Sequence, residues 1–246
     1  MNNIPIQRQS SPSNDPEVSN IAWCRDRSSY HFDVWDNDLR FDTVIGLGKF
    51  SGDWSVEVEN AIEHSESRCL RDRNIGHRDG FPFVPPAIVK EEYDLLRAGA
   101  PADMQWFSYY LNMDGPFQRM VDYFGIGHAQ PRINVQMPGQ VAPTHIDKLD
   151  HQDVNWQELG RADQDNIIRV VIMLTPYQPG HFYQFGNYNL SHWQPGDFFE
   201  FAWQHVPHQT ANASLYPRAS LQITGLRTDK TREFLKWARY QKEIPV

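Results

Sequence analysis

From residue 131 onward, apolar and polar residues alternate in short runs separated by turn-forming pairs. "RINVQM" and "QVAPTHID" flank Pro138 and Gly139, and "HFYQF" and "YNLSHW" flank Gly186 and Asn187. "IIRVVIML", "FFEFAW", "HQTAN" and "RASLQITGL" complete the series. A period of two with Pro, Gly and Asn punctuation predicts short strands, seven or eight in all. Strands this short and evenly spaced predict a barrel or two-sheet jelly roll, whose mouth can hold a small ligand and a metal. A helical insertion over roughly 154–163 interrupts the series.

Helical spacing dominates elsewhere. In "MDGPFQRMVDYFGIG", Phe117, Met120, Val121 and Phe124 fall on one face, and Gly125 can close the helix. "PPAIVKEEYDLLRAG" has prolines at its start and a glycine after its last turn, as a second helix would. The closing stretch predicts an amphipathic helix over 228–244, packed on the outside of the sheet through Phe234, Leu235 and Ala238. Residues 1–20, rich in Ser, Asn, Pro and Gln, read as a mobile tail. The expected organisation is thus one domain over 21–246: a mixed α/β part to 130, a β core over 131–226 and the closing helix. "GLGKFSG" lacks the third glycine of a dinucleotide-binding turn, because Ser51 stands there, and reads as a loop.

Composition narrows the function. The 246 residues suffice for one sizeable core, and 13% aromatic content points to a packed interior. A net charge of −8 with no basic run argues against holding a nucleic-acid backbone. Cys24 and Cys69 form neither a disulfide framework nor a metal knuckle, and no apolar run approaches membrane-spanning length. The start has no apolar signal core, so the expectation is a soluble, cytoplasmic protein in which the sequons at Asn189 and Asn212 carry no glycan. The expected partner is a small molecule, with no nucleic acid and no membrane.

Four His-x-Asp pairs occur: His31 with Asp33, His77 with Asp79, His145 with Asp147, and His151 with Asp153. The first two lie outside the β region and read as surface polar pairs. His145 and Asp147 follow the Pro-Gly turn on an alternating strand, whereas His151 and Asp153 begin the insertion, with Asp153 suited to an N-cap. A site of two histidines and one carboxylate draws its third ligand from a distant strand and leaves one face open for substrate and oxygen. His181, His192, His205 and His208 are the candidates. His208 has an arginine ten residues on, Arg218, whereas the equivalent offset from His205 falls on Leu215. Neighbouring antiparallel strands joined by the turn around "SLYP" would set His208 at the metal and Arg218 deeper, where its fork could grip a carboxylate. The implied ligand is a dicarboxylate co-substrate.

Together "RINVQMPGQVAPTHID", "IIRVVIMLTP" and "HWQPGDFFEFAWQHVPHQTANASLYPRASLQITG" resemble the iron(II)- and 2-oxoglutarate-dependent oxygenases. Within that family they are most similar to the aspartyl/asparaginyl β-hydroxylase-like branch, which includes some free-proline hydroxylases. The resemblance spans about residues 132–226. It implies a double-stranded β-helix, iron(II) held by His145, Asp147 and His208, and Arg218 on the distal carboxylate of 2-oxoglutarate. It also places Arg169 in the active site. Asn134 and Gln136 alternate with Ile133 and Val135, so both face one side of a strand and could hydrogen-bond the co-substrate or, alternatively, satisfy buried backbone groups.

Hydroxylation of an unactivated C–H bond is the expected reaction, since halogenating relatives replace the carboxylate that this chain keeps as Asp147. The substrate expected is a small molecule such as a free amino acid held partly by Arg169. A peptide or protein side chain is the alternative, as are a cupin-like metalloenzyme that uses no oxo acid and a barrel that only binds. Trp106, Phe107, Tyr109 and Tyr110 read as core packing rather than as a wall of the mouth, and Lys148 and Trp156 as part of a lid. The stretch over 148–168 is longer than a simple turn, and nothing before 131 matches a family pattern.

Overall fold

The structure, a computed structural model, describes residues 44–69, 105–145, 166–186, 188–201, 203 and 206–246. Several expectations fall outside them: the tail, the helix in "PPAIVKEEYDLLRAG", the insertion, His31, Asp33, His77, Asp79, Asp147, Lys148, His151, Asp153, Trp156 and His205.

Among the described residues, eight strands lie in the region where alternation predicts seven or eight. They are β4 (Gly127–Gln136), β5 (Val141–His145), β6 (Ile167–Met173), β7 (His181–Phe185), β8 (Tyr188–Leu190), β9 (Asp197–Phe201), β10 (His208–Asn212) and β11 (Arg218–Leu226). One sheet contains the order β9-β6-β11-β4 and the other β5-β10-β7-β8. Consecutive strands therefore keep crossing from one sheet to the other, except at the β7–β8 hairpin. Counted from β4, the sheets read 6-3-8-1 and 2-7-4-5, which is the strand order of a double-stranded β-helix. The larger sheet is extended at one edge by β1 (Val44–Ser51) and β12 (Ile244–Pro245), and at the other by β3 (Gln105–Tyr110) and β2 (Glu66–Cys69).

Among the described residues, three helices cover the outer face of the larger sheet: α1 (Ser55–Glu63), α2 (Gly115–Phe124) and α3 (Asp229–Ala238). Every residue of β6 is buried because one face meets these helices and the other meets the smaller sheet. Val170 and Ile172 join the helix-side core with Ile133, Leu221, Phe117 and Phe124. Val171 and Met173 join a second, inner core with Tyr183, Phe185, Phe199 and Phe201. Two-sided burial is why "IIRVVIM" reads as a continuous apolar run broken only by Arg169.

The α2 helix forms where its spacing predicts, with Pro116 in its first turn and Gly125 at φ 57° as its left-handed C-cap. Thr228 and Thr231 form a reciprocal capping box at the start of α3, and both hydroxyls also donate to the Gly125 carbonyl, at 2.7 and 3.1 Å. The exposed carbonyl at one helix end thus fixes the start of the next. Phe234, Leu235 and Ala238 are buried, but the helix stops at Ala238 rather than running to 244. Ile244 instead turns back into the core, fully buried, and pairs in parallel with Phe50 of β1.

"GLGKFSG" departs from the expected loop: Val44–Ser51 is strand β1, antiparallel to β9 with a bulge between Gly46 and Gly48. Of its glycines, Gly48 serves packing rather than a turn. A Cβ on Gly48 would sit 2.8 Å from the Phe198 ring, so only glycine admits that contact. No helix among the described residues is long and apolar enough to cross a membrane.

Candidate active site

Pairing between β5 and β10 sets His145 directly opposite His208, with ring centroids 4.4 Å apart. His208 is buried, and its ring takes an edge-to-face contact from Phe201 at 5.0 Å. In each histidine Nδ1 lies against the carbonyl two residues earlier, Pro143 at 2.7 Å for His145 and Val206 at 3.0 Å for His208. A carbonyl only accepts, so Nδ1 carries the proton and the neutral ring keeps its lone pair on Nε2. That is the tautomer in which imidazole binds a metal, with the ring orientation set from behind. No group of three metal-ligating side chains occurs among the described residues. Asp147, the expected third ligand, lies outside them.

The other candidate histidines behave differently. His181 is buried at the start of β7 and stacks on Trp193 with an interplanar angle of 4°. Its Nδ1 accepts the Gln178 N–H at 3.1 Å and its Nε2 donates to the Tyr216 carbonyl at 3.3 Å, so both nitrogens are engaged structurally. Burial lowers its pKa from the usual value near 6.5, the Tyr216 carbonyl opposes this, and the Arg218 charge adds to the lowering. The native state therefore resists a proton that the unfolded chain accepts. Stability supplied by the neutral ring is full above pH 6.5 and is lost as pH falls through the native pKa. We expect the unfolding free energy from urea titrations to fall between pH 7 and pH 5.5, and to fall less steeply in His181→Gln. Exposed His192 stacks on Tyr177 at 5.1 Å. Among the described candidates only His208 faces His145.

Arg218 opens β11 and is 2% exposed. Its Nη1 donates to the Phe182 carbonyl at 2.9 Å, its Nη2 donates to Gln136 Oε1, and its guanidinium lies 5.1 Å from the Tyr183 ring centre. No carboxylate of the described residues pairs with it, and burial pushes its pKa down to about 10. The expectation that His208 and Arg218 stand on hydrogen-bonded neighbouring strands does not hold, because β10 and β11 belong to different sheets. The turn between them carries the chain across the barrel. Buried Asn212 holds that turn, donating to the Gln136 and Tyr216 carbonyls, both at 2.8 Å, while its Oδ1 accepts from Ser214. Arg218 is nonetheless tied to the strand that carries His208. Fully buried Gln136 bridges it to Thr210 Oγ1 at 3.2 Å, and Thr210 is two residues from His208, about 7 Å along a strand.

Asn134 and Gln136 share the inner face of β4, as their alternation predicts, but only Gln136 touches Arg218. Asn134 lies instead beside Gln222 of β11, at 3.3 Å. Arg169, 6% exposed on β6, donates through Nε to Thr224 Oγ1 at 3.0 Å and stacks on Trp203 at 3.9 Å. It pairs in register with Thr224, six residues from Arg218 on β11, so the two buried arginines stand roughly 20 Å apart along the strand.

The aromatic residues of β3 divide between its faces. Tyr110 packs on the helix-side core and accepts from Asn60 Nδ2 at 2.8 Å, while Phe107 and Tyr109 lie together opposite it, with Arg132 5.0 Å from the Tyr109 ring centre. The side chain of Trp106 lies outside the described residues. Gln222, Thr224, Tyr183 and Trp203 are site residues that sequence reasoning missed. The polar stripe Arg218, Ser220, Gln222 and Thr224, at every second position of β11, was the available signal for the first two.

The two sheets and their strand order define the class: a double-stranded β-helix protein. No model of a known family matches the chain, and no curated protein matches it in sequence. Among solved structures, a Cupin 2 conserved barrel domain protein from Salinispora arenicola is 11% identical, with 53% of this chain and 84% of that one covered and a TM-score of 0.30. One described as a predicted oxalate decarboxylase from Thermotoga maritima is 10% identical, with 49% and 80% covered and a TM-score of 0.30. A sugar phosphate isomerase of a cupin superfamily from Silicibacter pomeroyi is 15% identical, with 44% and 57% covered and a TM-score of 0.27. Likeness of this size says nothing of ligand or reaction, and the fold rests on the strand order itself.

Proposed function

We propose that this protein is an iron(II)- and 2-oxoglutarate-dependent dioxygenase, cytoplasmic, that hydroxylates an unactivated C–H bond of a small molecule such as a free amino acid. The observation that carries the reading is Arg218: a guanidinium 2% exposed, without a carboxylate partner among the described residues, and tied through Gln136 and Thr210 to the strand of His208, which faces His145. Burying an unpaired charge costs several kcal/mol, roughly, after relaxation, so the arrangement persists most economically if an anionic ligand completes it. A two-ended acid fits both features, one end at the metal and the other in the guanidinium fork.

His145 and His208 would hold iron(II) together with Asp147, a donor set of two imidazoles and one carboxylate suited to that ion. When bound, the metal supplies the coupling of oxygen-dependent decarboxylation of 2-oxoglutarate, to succinate and carbon dioxide, with hydroxylation of the substrate. The chain's own residues orient and exclude. The Pro143 and Val206 carbonyls fix the two rings, and Gln136 and the Phe182 carbonyl hold the Arg218 fork. Phe185, Phe199 and Phe201 keep the inner wall dry, which strengthens every charge interaction inside it.

A screen for succinate release over amino acids and small metabolites, with iron(II), ascorbate and 2-oxoglutarate, tests the reading. At least one compound is expected to raise release severalfold above the substrate-free rate. Absence of succinate throughout the screen would count against the co-substrate, and metal-dependent turnover without it would favour a cupin-like enzyme of another kind.

A further inference from the structure

The oxygen end of the Gln222 carboxamide is identified by its neighbours. Arg132 Nη2 and Arg169 Nε lie 3.1 and 3.2 Å from one end of that amide, and both can only donate. That end is therefore the oxygen, and the amide nitrogen faces Asn134, 3.3 Å away. Asn134 must meet an N–H with its own oxygen, which turns its NH2 the other way. The far end of the Asn134 carboxamide is buried and has no hydrogen-bond partner. Native proteins rarely leave such a group unmatched.

We propose that Asn134, held by Gln222, is a specificity-determining residue that presents an N–H donor to the barrel interior and selects a primary substrate bearing a carboxylate. This rests on the barrel being the active site. Two arginines polarise Gln222, Gln222 orients Asn134, and the orphan end of Asn134 lies on the inner face of β4 that Gln136 shares. Among the described residues no carboxylate pairs with Asn134 or Gln222 on that wall, so at this position an acceptor group of the ligand is favoured over a cationic one. Gln222 is a positioning residue, acting through Asn134.

The test uses the full chain with 15N-labelled asparagine, loaded with zinc(II) to keep the spectrum diamagnetic, in excess 2-oxoglutarate. Propionate is the probe and propionamide its neutral isostere. The Asn134 side-chain amide signal, assigned by its loss in Asn134→Asp, is expected to shift saturably with propionate and not with propionamide. The response should persist in Arg218→Ala. In Gln222→Glu, whose two oxygens can only accept, Asn134 must turn its NH2 back toward residue 222, and propionate affinity should fall by at least about tenfold. Should that variant not fold, Gln222→Met is the second, with the same expected loss. A signal that ignores propionate, responds equally to propionamide, or responds undiminished in the Gln222 variants overturns the proposal. Failure of the co-substrate reading shows separately, as a wild-type spectrum that 2-oxoglutarate leaves unchanged while propionate still shifts Asn134.

Discussion

Arg218→Ala is expected to abolish 2-oxoglutarate-dependent succinate formation while leaving the fold at least as stable as before. Truncating one partner of a buried, hydrogen-bonded charge pair costs roughly 2–5 kcal/mol in binding, or about 30- to 5,000-fold in affinity for 2-oxoglutarate. Stability runs the other way. In the free protein Arg218 is 2% exposed with no carboxylate beside it among the described residues, so its removal relieves a desolvation cost that only the ligand offsets. The loss of its bonds to Gln136 and the Phe182 carbonyl works against that gain. Arg218→Lys keeps the charge but not the planar fork, and should fall between the two. Co-substrate affinity from titration and the midpoint of a thermal melt, measured on all three proteins, separate the roles. A purely structural Arg218 would show a large drop in melting temperature with unchanged affinity in whatever protein still folds.

The second large effect concerns the two overlapping histidine motifs. His145→Ala removes a ring that faces His208 at 4.4 Å, and should abolish iron binding and turnover together. The expected loss of metal affinity exceeds the roughly 10- to 100-fold typical of removing a group that merely orients a ligand. His151→Ala should keep both, since the structure completes a facing pair without it. Equilibrium dialysis with iron(II) under nitrogen, followed by succinate assay, reads both outcomes. Loss of metal in His151→Ala with retention in His145→Ala would reverse the assignment.

Much of this architecture was legible because its signals are local. Pro-Gly and Gly-Asn punctuation located the core strands, and the spacing of Phe117, Met120, Val121 and Phe124 located α2. The offset of ten between His208 and Arg218 picked out two buried residues, and Gln136 ties Arg218 to the strand that carries His208. The geometry behind that offset was not legible, since no local signal tells whether a turn stays within a sheet or crosses between two. β1 was missed because its glycines mimic a loop and its strand character comes from β9, some 150 residues later in the chain. The end of α3 was missed because burial of Ile244 against Phe50 outweighs further helix. The Asn134 and Gln222 amides meet across 88 residues, and their orientation is set by two arginines on other strand positions. Such a relay exists only once the sheet is built.

If the His145–His208 pair and Arg218 together hold iron(II) and 2-oxoglutarate, anaerobic titration of the protein with both gives a visible metal-to-ligand charge-transfer band. That band is expected to saturate with 2-oxoglutarate, to need far more of it in Arg218→Ala, and to be absent in His145→Ala. A protein that binds iron(II) but gives no such band at any concentration of 2-oxoglutarate would contradict that arrangement.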